Sequence, residues 1–560
     1  MPTPHPGKWK ILLDDSIEPK PVDSQVTAIH AHLVPILIDL EELHPKAMIL
    51  YWHGRYLSNN VLGEGEVPPI IVTCLFDPNT NEITQYGIFR WSDTAADPSE
   101  VFCSGHTFLA NGNLITAGGE RNQPPFNIAG AGGTKYSFLF DSSVFSDLDP
   151  RPIPWKNASE DPMSKGRWYP QLTKLFDGNV IAVSGYNYDR TGVEDVHEIY
   201  NPNSQTWSEI TGIGADMEVP LYNGAYLLPF GDWVGQVFYD LVAWGPWLEY
   251  WEGAHRFNPY ADDNEFWYEI GEQAYAKIRY HGSSVALPIK STDTNIRIIN
   301  LGGVGYLEEL DYTKTCEMIS LGDSSTPDWI GTKDLNYMRH DCPGALLLAD
   351  ASLIVIGGGN ATDTTLETEV FDYSDPDPSQ WSWSEIIFAE GESMHVPRKY
   401  HSTAFLIPDG RVWVGGSRIY TDPQRAEFEN DMERRIEFFS PGYLFEGPRP
   451  LITSAPLVIN YDEVFSVAYD VTSEIIPTIN SIVLISLPSV THCFDSNQRY
   501  LVLDFEQSLT YGVLDATAPL NRYIAPPGYY MLFLLQDKLQ SDSGEVRIPS
   551  IAKIIKLEVA

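Results

Sequence analysis

Tyr400 and His401 stand side by side in "RKYHSTAFLIPDGRVWVGG", and a phenol beside an imidazole can hold a transition metal. Phenolate oxygen with imidazole nitrogen suits Cu(II) or Fe(III) better than zinc or magnesium, and a tetragonal set of these donors favours copper. Two further residues share this phase. Cys103, Tyr169 and His401 each lie nine positions before a turn glycine, namely Gly112, Gly178 and Gly410. His340 lies ten before the corresponding turn of another copy. Equivalent positions on repeated units can converge on one point. Taken alone, each residue is also accounted for by strand packing, a buried cysteine commonly serving as a small hydrophobe.

The repeat that positions them is an apolar strand, a turn, a second apolar strand and a glycine pair. It reads as "CSGHTFLANGNLITAGG" (Cys103–Gly119), "YPQLTKLFDGNVIAVSG" (Tyr169–Gly185), "IRIINLGG" (Ile296–Gly303), "HDCPGALLLADASLIVIGGG" (His340–Gly359) and "HSTAFLIPDGRVWVGG" (His401–Gly416). An earlier copy, "HAHLVPILIDLEELHPKAMILYWHG", ends at Gly54, and "AYLLPFGDWVGQVFYD" (Ala225–Asp240) reads as a degenerate seventh. Between copies come second hairpins such as "EIYNPNSQTWSEI" and "VFDYSDPDPSQWSWSEI", each a strand, a polar turn and a tryptophan strand. Two hairpins per unit and seven units predict an all-β chain with a seven-bladed kelch-like β-propeller over 1–447. After "FFSPGYLFEGPRP" the repeat stops, and alternating strands over 448–560 predict an immunoglobulin-like β-sandwich.

The 560 residues carry 76 acidic against 36 basic side chains, a formal charge of −40. That field repels phosphate backbones and anionic headgroups, so neither nucleic acid nor a membrane surface is an expected partner. The five cysteines, at 74, 103, 316, 342 and 493, are too scattered for a zinc ribbon or a disulfide scaffold. The start, "MPTPHPGKWKILLDD", has no apolar leader, and no apolar run approaches transmembrane length. The acidic residues are expected in outer turns, which ranks a glycosidase with paired carboxylates last.

Five anchors in order, "FCSGHTFLANGNLITAGG", "RWYP", "RKYHSTAFLIPDGRVWVGG", "SVTHCFDSNQR" and "PPGYYMLFLL", resemble the copper radical oxidases, the galactose oxidase and glyoxal oxidase family. The likeness runs from Ala28 to the end, and "RWYP" is closer to the glyoxal oxidase branch. It implies Tyr169 as the equatorial tyrosine that holds the radical, and Cys103 as the cysteine joined to its ring by a thioether. Tyr400 matches the axial tyrosine, His401 the histidine after it, and His492 a second histidine delivered by the C-terminal domain on a hairpin that threads the propeller.

The implied cofactors are one copper and the self-derived Cys103–Tyr169 radical. The implied activity is oxidation of a primary alcohol or aldehyde, with O2 reduced to H2O2, Tyr400 taking the hydroxyl proton and Tyr169 a hydrogen atom from carbon. A secreted or extracytoplasmic location is implied as well. The chain departs from the galactose oxidase pattern where a tryptophan stacks over the cross-linked ring: "SGYNYD" puts Asn187 there, one place after Tyr186, leaving Trp168 as the other candidate shield. His106, Arg339 and His340 are candidates for orienting substrate. The competing expectation is a non-catalytic kelch-type interaction or copper-binding scaffold.

Overall fold

The repeated unit closes on itself through its turn. In the third blade Gln171–Lys174 pairs antiparallel with Val180–Val183 across Asp177 and Gly178. Asp177 Oδ1 accepts the Asn179 N–H at 2.9 Å, and Gly178 takes φ +86°, which a side chain would resist. The second hairpin follows: Glu198–Asn201 pairs with Val180–Val183 and with Thr206–Glu209. Its tryptophan does not stay within the blade. Trp207 Nε1 donates to Ser137 Oγ of the preceding blade at 3.0 Å, so the tryptophan strand staples neighbours together.

This pattern is a computed structural model describing residues 6–14, 20–21, 28–36, 44–53, 71–88, 100–121, 132–144, 154–231, 234–237, 254–271, 279, 281–306, 310–322, 329–341, 344–360, 363–375, 377–418, 433–471, 478–492, 494–537 and 547–558. Cys342 and Cys493 lie outside the described residues. Seven blades of four propeller strands stand among those residues. Their inner strands are His30–Ile36, Gly105–Phe108, Gln171–Lys174, Gly224–Leu227, Ser283–Ala286, Gly344–Leu347 and Ser402–Leu406. The degenerate copy folds as the fourth blade, with Gly224–Leu227 against Val234–Val237. The ring is closed by the chain's start: Lys8–Ile11 forms the outer strand of the seventh blade, antiparallel to Glu437–Ser440. Closure leaves only short edges exposed.

Past Ser440 the strands build two packed sheets. One holds Ile452–Ser454, Val464–Tyr469, Val513–Thr517 and Phe505–Gln507. The other centres on Ile479–Ser486 between Tyr500–Leu503 and Gly528–Asp537. Val467 and Leu514 of the first share a core with Ile482, Leu484 and Leu532 of the second. Two links join this sandwich to the propeller. Ile289–Lys290 of the fifth blade pairs parallel with Leu501–Val502, and Ser489–Thr491 pairs antiparallel with His30–His32 of the first blade. The second link carries a sandwich hairpin onto an inner propeller strand, as the His492 assignment requires.

Among the described residues, four blades carry a buried ion pair that the charge reading missed. Arg167 meets Glu198 at 2.9 Å, Arg279 Glu317 at 2.8 Å, Arg339 Glu369 at 2.7 Å and Arg398 Glu437 at 3.1 Å, all almost wholly buried. Each arginine also donates to a carbonyl at the glycine end of its blade, at Ser184, Gly302, Gly357 or Gly416. Three of the glutamates accept a loop N–H with their other oxygen, from Ser164, Asn336 and His395. These acidic residues are therefore not in outer turns; they clamp the loops that lead into the inner strands. Replacing Arg339 by Met strands the Glu369 charge in the blade, and unfolding free energy is expected to fall by about 3–5 kcal/mol. The double change Arg339→Met, Glu369→Leu should recover much of the loss. Urea unfolding of the three proteins checks this, and a single-variant loss below about 1 kcal/mol would contradict the clamp.

Candidate metal centre

Each clamp delivers the chain to a residue in the left-handed region. Cys103, Tyr169, Tyr222, His281, Asp341 and His401 have φ of 55°, 66°, 46°, 53°, 63° and 68°, and His492 on the incoming hairpin has 47°. Such backbone costs on the order of 1–3 kcal/mol per non-glycine residue and persists where the surroundings impose it. Glycine would adopt it freely, yet all seven positions keep a side chain. Six of them head the second to the seventh blades, and His492 comes on the sandwich hairpin that pairs with the first blade's inner strand.

Five of them with Tyr400 form one buried group. The phenol oxygens of Tyr169 and Tyr400 lie 3.5 Å apart, and Cys103 Sγ lies 3.7 Å from His492 Nε2. Donor atoms of Cys103, His401 and His492 all fall within 4.8 Å of one another. The His492 ring lies edge-on to Tyr169, Tyr400 and His401, at 5.7, 5.1 and 4.9 Å between centroids. The Tyr169 N–H donates to the Cys103 carbonyl at 3.0 Å, tying the second and third blades at the same level. The structure thus brings together all five residues that the resemblance singles out, Cys103, Tyr169, Tyr400, His401 and His492. Tyr222 completes the wall: its ring lies 4.8 Å from His492 and its hydroxyl donates to the Ser104 carbonyl.

The donor set suits copper. Thr491 Oγ1 donates to the Ile29 carbonyl at 3.0 Å, so it accepts from His492 Nδ1 at 2.7 Å. That fixes the proton on Nδ1 and leaves the Nε2 lone pair facing the tyrosines and the cysteine. Burial above all holds His492 well below the usual imidazole range, keeping it neutral. Burial likewise holds Tyr169 well above the ordinary phenol, the neighbouring Cys103 and Tyr400 adding to the rise, so its phenolate calls for a cation at its side. Two imidazole nitrogens with two phenol oxygens form a Cu(II) set rather than a magnesium or zinc one.

Behind the group runs a buried histidine chain. The Cys103 N–H donates to His30 Nε2 at 3.2 Å, His30 Nδ1 therefore donates to His106 Nε2 at 3.2 Å, and His106 Nδ1 meets Ser489 Oγ at 2.8 Å. Ser489 Oγ in turn reaches His32 Nδ1 at 3.0 Å. Burial pushes His106 down to about 3, and His30 and His32 are lowered too, so the chain is uncharged. His106, an expected substrate contact, thus stands behind the site instead. Arg339 is no substrate contact either; it is clamped to Glu369.

Next to Tyr400 lies a second cluster, His281, His340, Asp341 and Lys399. His281 stacks between His340 and Tyr400, at 5.0 and 5.3 Å. Asp341 Oδ1 lies 3.3 Å from His281 Nδ1 and 3.4 Å from His340 Nδ1, while its Oδ2 lies 3.3 Å from Lys399 Nζ. Asp341 is drawn down to about 2 by these neighbours against the effect of burial, and burial pushes His340 down to about 4. Only His340 was among the expected contacts here. Tyr222 keeps the nine-residue phase, to Gly231, but its copy is degenerate; Asp341 was hidden because Ala351, at φ 71°, takes the turn glycine's place and stands ten rather than nine residues after it. Trp168, not Asn187, covers the tyrosine: its ring lies 4.7 Å from that of Tyr169, at 33°.

Residues 449–548 match the family model described as galactose oxidase-like, Early set domain. An aldehyde oxidase GLOX of Vitis pseudoreticulata is 26% identical over 99% of this chain and 97% of its own. The likeness to proteins of this kind thus runs along nearly the whole chain. A galactose oxidase of Gibberella zeae is 24% identical, over 93% of this chain and 70% of its own. The fold matches a solved fungal alcohol oxidase in complex with copper at a TM-score of 0.69 and 20% identity, covering 99% of this chain and all of that one. Replacing Thr491 by Val removes the acceptor that sets the His492 tautomer. Copper affinity is expected to fall 10–100-fold with the fold intact, as read by copper titration beside circular dichroism; unchanged affinity would detach Thr491 from the site.

Proposed function

We propose that the chain is a mononuclear copper radical oxidase of primary alcohols or aldehydes, reducing O2 to H2O2. The observation that carries this reading is the arrival of Cys103, Tyr169, Tyr400, His401 and His492 at one buried point from three blades and a separate hairpin. Tyr169, Tyr400, His401 and His492 would hold the copper, and Cys103 would be joined to the Tyr169 ring by a thioether. When bound, the metal supplies a Lewis-acidic position for substrate oxygen and a one-electron partner for the tyrosine.

The chain's own residues supply the rest. Tyr400, as phenolate, accepts the substrate's hydroxyl proton as general base. Tyr169, once joined to Cys103, would be the residue that accepts a hydrogen atom from the carbinol carbon, the sulfur lone pairs lowering the oxidation potential of its ring. Trp168, lying against that ring, keeps water and reductants from it. His281 and His340 face the incoming molecule, held by the Asp341 carboxylate, whose charge Lys399 balances. That wall favours a small polar substrate whose second oxygen can hydrogen-bond, such as a hydrated aldehyde. O2 accepts the two electrons and two protons and leaves as H2O2.

Peptide mapping after copper loading in air tests the cofactor. A linked Cys103–Tyr169 peptide two hydrogens lighter is expected, with peroxide produced from alcohols or aldehydes; unmodified peptides and no turnover would leave the scaffold reading. Asp341→Asn loosens both imidazoles without touching the metal donors. KM is expected to rise by roughly tenfold, about 1.4 kcal/mol, with a smaller change in kcat and unchanged copper stoichiometry. Steady-state kinetics on a shared substrate panel decides this.

A further inference from the structure

The strand that begins beside Tyr169 ends in Lys174, and the strand that leaves the His492 hairpin begins beside Arg499. Both side chains line one cavity of about 30 Å³ between the propeller hub and the sandwich, and both residues are only 6% exposed. Two buried cations facing one space call for a counter-charge. None is in place among the described residues. Arg499 Nη2 donates to the Leu227 carbonyl at 2.8 Å, while its Nε and Nη1 have no acceptor. The charge that acts on Lys174 is Arg499 itself, which together with burial, the larger cause, pushes the lysine down to about 7.

The other polar groups of the lining are already engaged. Asp495 Oδ1 accepts the N–H groups of Ser489 and Asn497, at 2.9 and 3.0 Å, and Asp495 is ion-paired with neither cation. Gln498 Oε1 accepts the Ala286 N–H, and the Tyr530 hydroxyl donates to the Pro526 carbonyl. Thr173 Oγ1 is buried without a partner. The fully buried atoms of this lining that lack a partner are Thr173 Oγ1 and Arg499 Nε and Nη1, all of which can donate. A space of this size admits one or two water-sized occupants, which fits a monatomic anion and not a phosphate or a carboxylic acid.

We propose that this cavity is a halide site, in which one chloride is held by Lys174 Nζ, by Nε and Nη1 of Arg499 and by the Thr173 hydroxyl. The anion ties the strand behind Tyr169 to the hairpin that delivers His492, so it braces the candidate metal centre from below without touching it. Its existence does not depend on the oxidase reading.

Thermal unfolding of the copper-loaded full chain, in chloride against gluconate at constant ionic strength, tests the site. A saturable rise of roughly 2–5 °C with millimolar chloride or bromide is expected, and Lys174→Met should abolish the dependence. Crystals grown in bromide should show one anomalous peak between Lys174 and Arg499. Midpoints that ignore the halide in the parent protein, a dependence that survives in Lys174→Met, or a cavity holding water alone in the bromide crystals would each overturn the proposal.

Discussion

The buried arginine–glutamate clamp is the constraint on which the rest of this molecule depends. In the third, fifth, sixth and seventh blades an almost wholly buried guanidinium meets a glutamate from the blade's third strand and a carbonyl at its glycine end. Such a pair is expensive to bury and tolerates little displacement, since a shift of either partner leaves an uncompensated charge in a low-dielectric interior. The arginine stands two or three residues ahead of the left-handed residue in each case. The clamp therefore fixes where the loop ends and the inner strand begins, and so which side chain faces the axis. Backbone strain at Tyr169, His281, Asp341 and His401 can persist because the clamp over-determines it.

The centre is electrostatically quiet before any metal arrives. His492, His30, His32 and His106 are all held neutral by burial, and Tyr169 is held as a phenol. Uncharged donors in a dry pocket gain most from a cation that allows the phenols to ionise beside it. The neighbouring cluster differs: Asp341 stays ionised there and is balanced by Lys399 at 3.3 Å, so the charge sits to one side of the metal donors.

Much of this was legible in the sequence, for physical reasons that can be named. Turn glycines need positive φ, so Gly112, Gly178 and Gly410 mark the register, and counting back from them finds Cys103, Tyr169 and His401. Ala351 in a turn glycine's role hid Asp341, and a degenerate copy hid Tyr222. The clamps were missed because their partners lie 30 to 39 residues apart, on strands that no local periodicity connects. The placement of His106 failed because it follows Cys103 by three residues into a strand buried against the hairpin, where it meets Ser489 rather than solvent. No spacing reveals that a hairpin from residues 489–495 joins the first blade; only the resemblance pointed to it.

The central claim is that strained backbone at Tyr169, His401 and His492, with Tyr400 next to His401, brings two phenols and two imidazoles to a single metal. Electron paramagnetic resonance of the chain loaded with one equivalent of copper, in the one-electron-reduced form, addresses it directly. The account predicts one tetragonal Cu(II) per chain with superhyperfine coupling to two nitrogens, reduced to one nitrogen in His492→Ala. Copper that binds at less than one equivalent, or a nitrogen pattern that His492→Ala leaves unchanged, would contradict it.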